Sequence, residues 1–265
     1  MKKTLIPMRF VLVFCTFLMT VLLFIDRASI SAGKNNICLD LGLGMTQFGW
    51  IMAAFTLGYA LFQTPTGKLA DKYGPRRVIS GVVIIWSILT SFTGAAWNYI
   101  SMLIIRFLFG AGEAGAYPAL SKVVYQWFPI KERGVVQGIN FSGSRIGAAF
   151  AMPLVAWMIT AIGWRFTFVV FGGFGILYGV MWYLLFRDKP ENARYIGTKE
   201  VDYIKNNRQQ EFSGALKTIK FISLLESATM WKLMIQYICS NFTFYFSITW
   251  MYTYILERFQ LGAVE

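Results

Sequence analysis

The stretch Arg106-Phe-Leu-Phe-Gly-Ala-Gly-Glu-Ala-Gly-Ala-Tyr-Pro-Ala119 places one cation and one carboxylate inside an apolar, glycine-rich helix. Arg106 and Glu113 are seven residues apart, which at about 100° per residue returns to nearly the same helix face. No charge lies in 78–105 or in 114–121, so we expect the two side chains to form an ion pair deep in an apolar medium. Charged side chains at membrane depth are costly and tend to mark ion or substrate pathways.

The composition excludes an ordinary soluble domain. Charged residues make up 14% of the chain and hydrophobic residues 56%, whereas charged residues are roughly a quarter of a soluble domain. The chain has no histidine, so proton chemistry must use carboxylates. The three cysteines show no metal-ligand spacing, and no nucleophile–base pair is evident. We therefore predict no enzymatic activity, no metal and no cofactor.

Seven segments are apolar and long enough to cross about 30 Å of hydrocarbon. They lie at about 8–32, 45–67, 78–97, 99–121, 134–161, 164–186 and 233–256. The prediction is an all-α polytopic membrane protein. We expect a six-helix bundle over 1–187, a cytoplasmic loop with one short helix over 188–231, and a seventh transmembrane helix over 232–265. The preferred interpretation of the loop is a solvated connector, and the alternative is that Val201 and Ile204 lay its helix on the membrane surface or on the bundle.

Lysine and arginine are distributed unevenly between the two sides of the predicted membrane. Nineteen of the 25 lie at the N-terminus, in the second-to-third and fourth-to-fifth connections and in the long loop, whereas three lie in the opposite connections. Because cytoplasmic loops carry the excess of positive charge, we expect the N-terminus in the cytoplasm. Loops that face anionic lipid then explain the net charge of +12, and nucleic acid is not expected as a partner.

The connection between the second and third spans reads Gly67-Lys-Leu-Ala-Asp-Lys-Tyr-Gly-Pro-Arg-Arg77. Gly67 permits close helix contact, Asp71 lies where it pairs with an arginine or a helix N-terminus, and Gly74 with its following proline makes the turn. The spacing of Gly67, Asp71, Gly74, Arg76 and Arg77 resembles a loop signature of the major facilitator superfamily, where the loop takes part in conformational change. A generic charged turn is the alternative.

The fourth span extends the resemblance. Its spacing Arg106-x-x-x-Gly110-x-Gly112 is similar to the superfamily's fourth-helix motif, and the continuation to Ala119 resembles the anion:cation symporter branch, which includes sugar-acid permeases. Further similarities occur in 127–134, 187–204 and 249–254. The resemblance implies twelve helices in two six-helix halves, each half made of two inverted three-helix repeats. This chain, which ends after the seventh predicted span, is expected to be a fragment or a natural truncation.

Charged residues occur at membrane depth on the first span as well as the fourth. In the implied fold these two helices are equivalent members of the inverted repeats, and both line a central cavity. The resemblance implies that Asp26 and Glu113 accept the coupled proton, while Arg27 and Arg106 bind the anion or hold a carboxylate until substrate arrives. Ion pairs that only hold helices together are the alternative, since breaking a buried pair costs several kcal/mol.

Six polar side chains on the spans are further candidates for substrate contact: Tyr59, Gln63, Ser144, Arg145, Asn241 and Tyr245. The resemblance places Tyr59 and Ser144 at cavity-lining positions, although an aromatic packed in the bundle is the alternative for Tyr59. Arg145 either faces the cavity as a second anion clamp, or turns to the membrane surface or to an acid on another helix. Gly143 and Gly147 predict a close helix contact.

The charges expected at membrane depth are two acids and three arginines, which sum to +1 when both acids are ionised. Each proton taken up makes the site more attractive to an anion, and a bound anion favours proton uptake in return. We therefore expect a secondary active transporter for proton-coupled symport of an organic anion, with a sugar acid such as a hexuronate or aldonate as first choice. The alternatives are an organic-phosphate or anion antiporter of the same fold, and an inactive truncated or non-transporting, receptor-like product.

The expected partners are the small organic anion, protons and the lipid bilayer. We expect the full-length protein to be a monomer that crosses the inner (cytoplasmic) membrane several times.

Overall fold

The computed structural model describes residues 7–193, 196–208 and 225–259, with side-chain detail up to residue 243. Within these ranges the chain is helical and contains no strand. The α-helices are α1 (Met8–Ala32), α2 (Lys34–Leu41), α3 (Met45–Tyr73), α4 (Pro75–Gly94), α5 (Tyr99–Glu113), α6 (Ala116–Trp127), α7 (Ile130–Leu185), α8 (Thr198–Asn207) and α9 (Ala228–Phe259). The predicted all-α class is confirmed.

Five described segments are long and apolar enough to cross a membrane: α1, α3, α4, α5 together with α6, and α7. With 56 residues at about 1.5 Å each, α7 is far longer than the hydrocarbon core of a bilayer is thick. Gly163 divides it, because its φ of 78° and ψ of 158° are not helical, and glycine adopts such angles without a steric penalty. Thus α7 is two spans, 130–162 and 164–185. The first six predicted spans are confirmed, and the protein is a multi-pass membrane protein.

The chain divides into two compact units, Met1–Gln210 and Glu211–Glu265. The first unit holds α1 to α8, and the second holds α9. The predicted seventh span lies within α9, and its crossing of a membrane stays a prediction. The predicted domain division after residue 187 and after residue 231 also stays a prediction.

The six spans of the first unit pack in three main pairs. α1 packs on the first part of α7, α3 on α5, and α4 on the second part of α7. In span numbers these pairs are 1 with 5, 2 with 4, and 3 with 6. Exchanging spans 1–3 for spans 4–6 returns the same three pairs, which is the pattern that two inverted three-helix repeats produce.

Glycines allow two of these pairs to approach closely. A Cβ on Gly58 of α3 would meet a backbone carbonyl of α5, and a Cβ on Gly110 of α5 would meet the carbonyl of Phe55 on α3. The α3–α5 crossing therefore needs glycine on both helices. Gly143 and Gly147 of α7 lie against the backbone of α1 in the same way, which confirms the predicted close contact.

The loop helix α8 packs on the first bundle. Ile204 is fully buried in the main hydrophobic cluster of that bundle. The Glu200 carboxylate accepts hydrogen bonds from the backbone N–H groups of Met8 and Arg9, both at 3.0 Å, and so caps the N-terminus of α1. For this helix the expectation of a solvated connector is wrong and the alternative of packing on the bundle is confirmed, because an apolar side chain and a carboxylate of α8 both contact the bundle.

Candidate functional site

An ion pair joins the first and fourth spans at membrane depth. Arg27 Nε on α1 donates to Glu113 Oε1 on α5 at 2.8 Å, with the Glu113 side chain 1% exposed and that of Arg27 16% exposed. The predicted pairing of Glu113 with Arg106 is wrong. Seven residues along one helix separate the two by about 10 Å, whereas α1 presents its arginine directly to the carboxylate.

Arg106 lies beside this ion pair and is itself buried. Its guanidinium stands over the rings of Phe55 and Phe109, at 5.1 and 4.4 Å from their centroids. It interacts electrostatically with Glu113 and Asp26, and its Nε has no hydrogen-bond partner among the described residues. Cation–π contacts with two rings replace part of the hydration that this buried cation has lost.

Asp26 completes a cluster of four charges. It is buried on α1 and interacts electrostatically with Glu113 and Arg106 of α5. The structure thus brings together the four charges that the sequence singled out, two from each of the equivalent first and fourth spans. Three of the four are buried, and Arg27 is partly exposed.

Aromatic side chains of α1 and α3 form a wall against Arg27. Its guanidinium lies over the rings of Tyr59, Phe24 and Phe55, at 4.7, 5.1 and 5.3 Å. The close α3–α5 crossing positions the two α3 rings at the cluster. Gln63, one turn further along α3, is half-buried, and no contact that the structure describes joins it to the four charges.

Glu113 lies where the hydrogen-bond pattern of the fourth span is interrupted. It is the last residue of α5, and α6 begins at Ala116. Pro118 explains the interruption, because proline has no N–H to donate to the carbonyl of Ala114. In the first turn of α6 that missing donor is not needed. Ala114 and Gly115 keep helical backbone angles, so the carboxylate stays within one span over Tyr99–Trp127, as the sequence predicted.

A second polar contact lies one turn beyond Glu113. The hydroxyls of Tyr117 on α6 and Ser144 on α7 are 2.7 Å apart, and the Tyr117 ring stacks on Phe141 with 6.0 Å between centroids. Ser144 is buried, whereas Arg145, the next residue, is exposed on α7. The substrate contacts predicted for both residues stay predictions.

Three aromatic residues at the cluster were not anticipated from the sequence: Phe55, Trp86 and Tyr117. Phe55 is four residues before Tyr59, and Tyr117 is four residues after Glu113, so the helical spacing contained a signal for both. Trp86 lies on α4, in a stretch (78–105) that contains no charged residue. Its indole interacts with Asp26.

The loop between the second and third spans makes the predicted turn. Gly74, with φ of 81°, separates α3 from α4. The Arg76 backbone N–H donates to Asp188 Oδ1 at 2.8 Å, and its Nε donates to the carbonyl of Tyr183 at 2.9 Å. The start of α4 is thereby fixed to the last turn of α7 and to the residues that follow it.

Asp71 finds a different partner from the one predicted. It pairs with Lys122 of α6 at 3.0 Å and not with an arginine or a helix N-terminus. Arg77 is exposed. A Cβ on Gly67 would meet Pro118 of α6 at 3.5 Å, which is an ordinary contact, so α3 and α6 are in contact there without requiring glycine.

The two candidates on the seventh predicted span lie in the second unit. Asn241 Nδ2 donates to the carbonyl of Tyr237 at 2.8 Å within α9. The Tyr245 side chain lies outside the described residues. Substrate contact stays a prediction for both.

Comparison with known proteins places the chain in a family. Residues 16–265 match the model of the Major Facilitator Superfamily. A probable sulfoacetate transporter of Cupriavidus necator is 30% identical over 91% of this chain and 55% of that protein. A probable L-galactonate transporter of Escherichia coli K12 is 31% identical over 92% of this chain and 54% of that protein. The chain spans about half the length of these curated relatives.

A solved structure shares the architecture. A bacterial homologue of the human lysosomal transporter Spinster, in an inward-facing and unoccupied conformation, is 25% identical with a TM-score of 0.71. The match covers 97% of this chain and 57% of that chain. These relatives are transporters and not enzymes.

Proposed function

Since the chain belongs to the Major Facilitator Superfamily, we propose that it acts in a secondary active transporter that carries an organic anion together with protons. The observation that carries the proposal is the buried Arg27–Glu113 ion pair, with Asp26 and Arg106 beside it. Two carboxylates provide proton acceptors in a chain that has no histidine. Two arginines provide the positive charge that an organic anion requires.

The four clustered charges cancel when both acids are ionised. Protonation of Glu113 removes the charge that holds Arg27 and leaves the cluster with one net positive charge. The Arg27 guanidinium can then bind a carboxylate of the substrate through paired hydrogen bonds. It is the partly exposed member of the pair, with 16% against 1% for Glu113, so an anion that approaches from outside the first bundle meets Arg27 first.

Proton and anion binding are coupled in this arrangement. An anion bound to Arg27 competes with ionised Glu113 and therefore favours its protonation, and protonated Glu113 favours the anion equally. A loaded site is again neutral, which lowers the cost of moving it across the membrane. The rocking of one bundle against the other would then expose the loaded site on the opposite side.

The substrate class is an organic acid, with a sugar acid as first choice. The Tyr59 ring lies under Arg27, and the Tyr117 hydroxyl, one turn beyond Glu113, pairs with that of Ser144. Hydroxyl groups of this kind suit a hydroxylated carboxylate such as a hexuronate or aldonate. One relative is named for L-galactonate, an aldonate, and another for sulfoacetate. Gln63, Arg145, Asn241 and Tyr245 are proposed as further substrate contacts.

We further propose that the protein is a monomer in the inner membrane, with its N-terminus in the cytoplasm. The Lys and Arg excess at the N-terminus, in two connections and in the long loop supports this orientation. The loop that follows α3, with Gly67, Asp71, Gly74, Arg76 and Arg77, would then lie on the cytoplasmic side and take part in the conformational change.

The test compares two carboxylates that each bind an arginine. Glu113→Gln removes the acid at membrane depth, while Glu132→Gln removes the acid that accepts from Arg9 at 2.9 Å near the start of α7. The full-length protein that contains this chain is reconstituted in liposomes with galactonate or glucuronate. We expect Glu113→Gln to lose accumulation driven by a pH gradient while it keeps substrate exchange, and Glu132→Gln to keep both.

If Glu113→Gln still concentrates substrate against a gradient, the proton assignment is wrong. If the unmodified protein exchanges anions but never accumulates them in response to pH, the antiporter alternative holds. If neither variant nor the unmodified protein binds or moves an organic anion, the transport proposal fails.

A further inference from the structure

A buried side-chain amide lies in the contact between α1 and the first part of α7. Asn140 of α7 is fully buried, and neither its Nδ2 nor its Oδ1 has a hydrogen-bond partner among the described residues. Burial of a polar group without a hydrogen bond is costly, and buried polar side chains in proteins are nearly always bonded to another group or to ordered water. The amide therefore marks a place where the bundle is expected to bind a small hydrogen-bonding molecule.

The two helices run in the same direction through this contact. A Cβ on Gly143 would meet the carbonyl oxygen of Phe17 at 2.9 Å, and a Cβ on Gly147, one turn later, would meet that of Val21 at 2.6 Å. Asn140 comes seven residues before Gly147 and so lies on nearly the same face of α7. It is therefore level with the turn of α1 that precedes Phe17.

That turn of α1 contains a buried hydroxyl group. Thr16 is 1% exposed, and its Oγ1 donates to the carbonyl of Val13 at 3.0 Å. Thr16 shares one face of α1 with Thr20, whose hydroxyl lies against Gly143 of α7. A hydroxyl that donates its proton within its own helix can still accept through its lone pairs. Thr16 therefore offers an acceptor at the level of the Asn140 amide.

The nearest described hydroxyl on α7 bonds to the backbone of Asn140 and not to its amide. Ser144 Oγ donates to the Asn140 carbonyl at 3.4 Å, and the same oxygen is 2.7 Å from the Tyr117 hydroxyl. Polar contacts thus run from α6 through Ser144 to the main chain at Asn140. The side-chain amide continues this polar layer toward α1.

We propose that the Asn140 amide binds a buried water molecule between α1 and α7, and that this water donates to the Thr16 hydroxyl. Water suits the site because the amide has one unpartnered donor atom and one unpartnered acceptor atom, and water both donates and accepts. Complete burial of Asn140 leaves no access for a larger ligand. The inference goes beyond the proposed transport and does not depend on it.

The variant Thr16→Val tests the α1 side of the water site. Valine has nearly the shape of threonine but cannot accept a hydrogen bond, so the water loses a partner. We expect the unfolding temperature of the full-length protein to fall by roughly 2–4 °C. Thr93→Val is the matched control, because Thr93 is also buried and also donates to a carbonyl of its own helix at 3.0 Å. It should leave the unfolding temperature nearly unchanged.

Solid-state NMR detects the water directly. In the full-length protein in lipid bilayers, with isotope-labelled asparagine and tryptophan side chains, magnetisation passes from water to N–H groups beside it. The Asn140 signal is assigned by its loss in Asn140→Ser. Trp182 is the control, since its Nε1 is also buried without a described partner, but its ring stacks on Phe186 with centroids 4.5 Å apart.

We expect transfer from water to Asn140 Nδ2 and none to Trp182 Nε1. The absence of transfer to Asn140 would overturn the inference, and so would equal transfer to both groups, because water would then reach any buried N–H. An equal change of unfolding temperature in Thr16→Val and Thr93→Val would also overturn it.

Discussion

Gly110→Ala tests the helix crossing on which the aromatic wall of the site depends. The added Cβ would overlap the carbonyl oxygen of Phe55 and lie 2.9 Å from Tyr59 N. Carbon atoms in contact are about 3.5–4.0 Å apart, so α3 and α5 must separate by roughly 1 Å. The obstructing atoms belong to the backbone, and no change of side-chain rotamer relieves the overlap.

The cost follows from this overlap. Overpacking costs about 1–3 kcal/mol, and we expect the upper end because both helices are rigid at the contact. For a domain of this size, about 1 kcal/mol shifts the unfolding temperature by roughly 2–4 °C. Gly110→Ala should therefore unfold roughly 6–12 °C below the unmodified chain.

The assay uses the buried thiol of Cys15. With Cys38 and Cys239 replaced by serine, a thiol-reactive dye reports the temperature at which the detergent-solubilised bundle opens. Gly173→Ala is the matched control, since a Cβ there meets nothing within 4 Å and alanine is the better helix former. Unfolding of Gly110→Ala at the temperature of the unmodified chain would refute the reasoning.

Three further predictions concern the ends of helices and the orientation of the bundle. Glu200→Gln should lower stability by about 1 kcal/mol through loss of the charged cap on α1, whereas Asn in place of the exposed Asp202 should have little effect in the same thermal assay. Gly163→Ala should cost about 1–2 kcal/mol because of its positive φ, despite open space around it; unchanged stability would contradict this. In intact cells, a cysteine in place of Lys131 should resist a membrane-impermeant maleimide while one in place of Asn98 reacts, and the reverse pattern would invert the proposed topology.

Much of the fold could be predicted because the signals are local. Apolar length predicted six spans, and the boundary predicted between 161 and 164 coincides with the break at Gly163. The glycine pair Gly143 and Gly147 predicted a close contact, since small residues at this spacing form one flat helix face. Each of these features depends on a short stretch of chain.

The errors concern contacts between distant parts of the chain. Helical spacing placed Glu113 and Arg106 on one face, but the partner of Glu113 is 86 residues away in sequence. Glu200 caps a helix that begins 192 residues earlier. Periodicity shows which residues share one face of a helix. Only the packing of the helices decides which residues that face contacts.

Neutral residues of the site were also missed. A charge in an apolar span is conspicuous, whereas Trp86 has the same appearance as any tryptophan in a membrane helix. The interaction of its indole with Asp26 depends on the rotation of α4 about its own axis. This rotation cannot be predicted from a single sequence.

The central claim is that one anion and one proton bind together, with Arg27 released from Glu113. Calorimetric titration of the full-length protein with galactonate, in buffers of different ionisation enthalpy, counts the protons taken up per anion bound. We expect the unmodified protein to take up about one proton per anion bound. Glu113→Gln should still bind the anion but take up no proton. Anion binding without proton uptake in the unmodified protein, or equal uptake in Glu113→Gln, would contradict it.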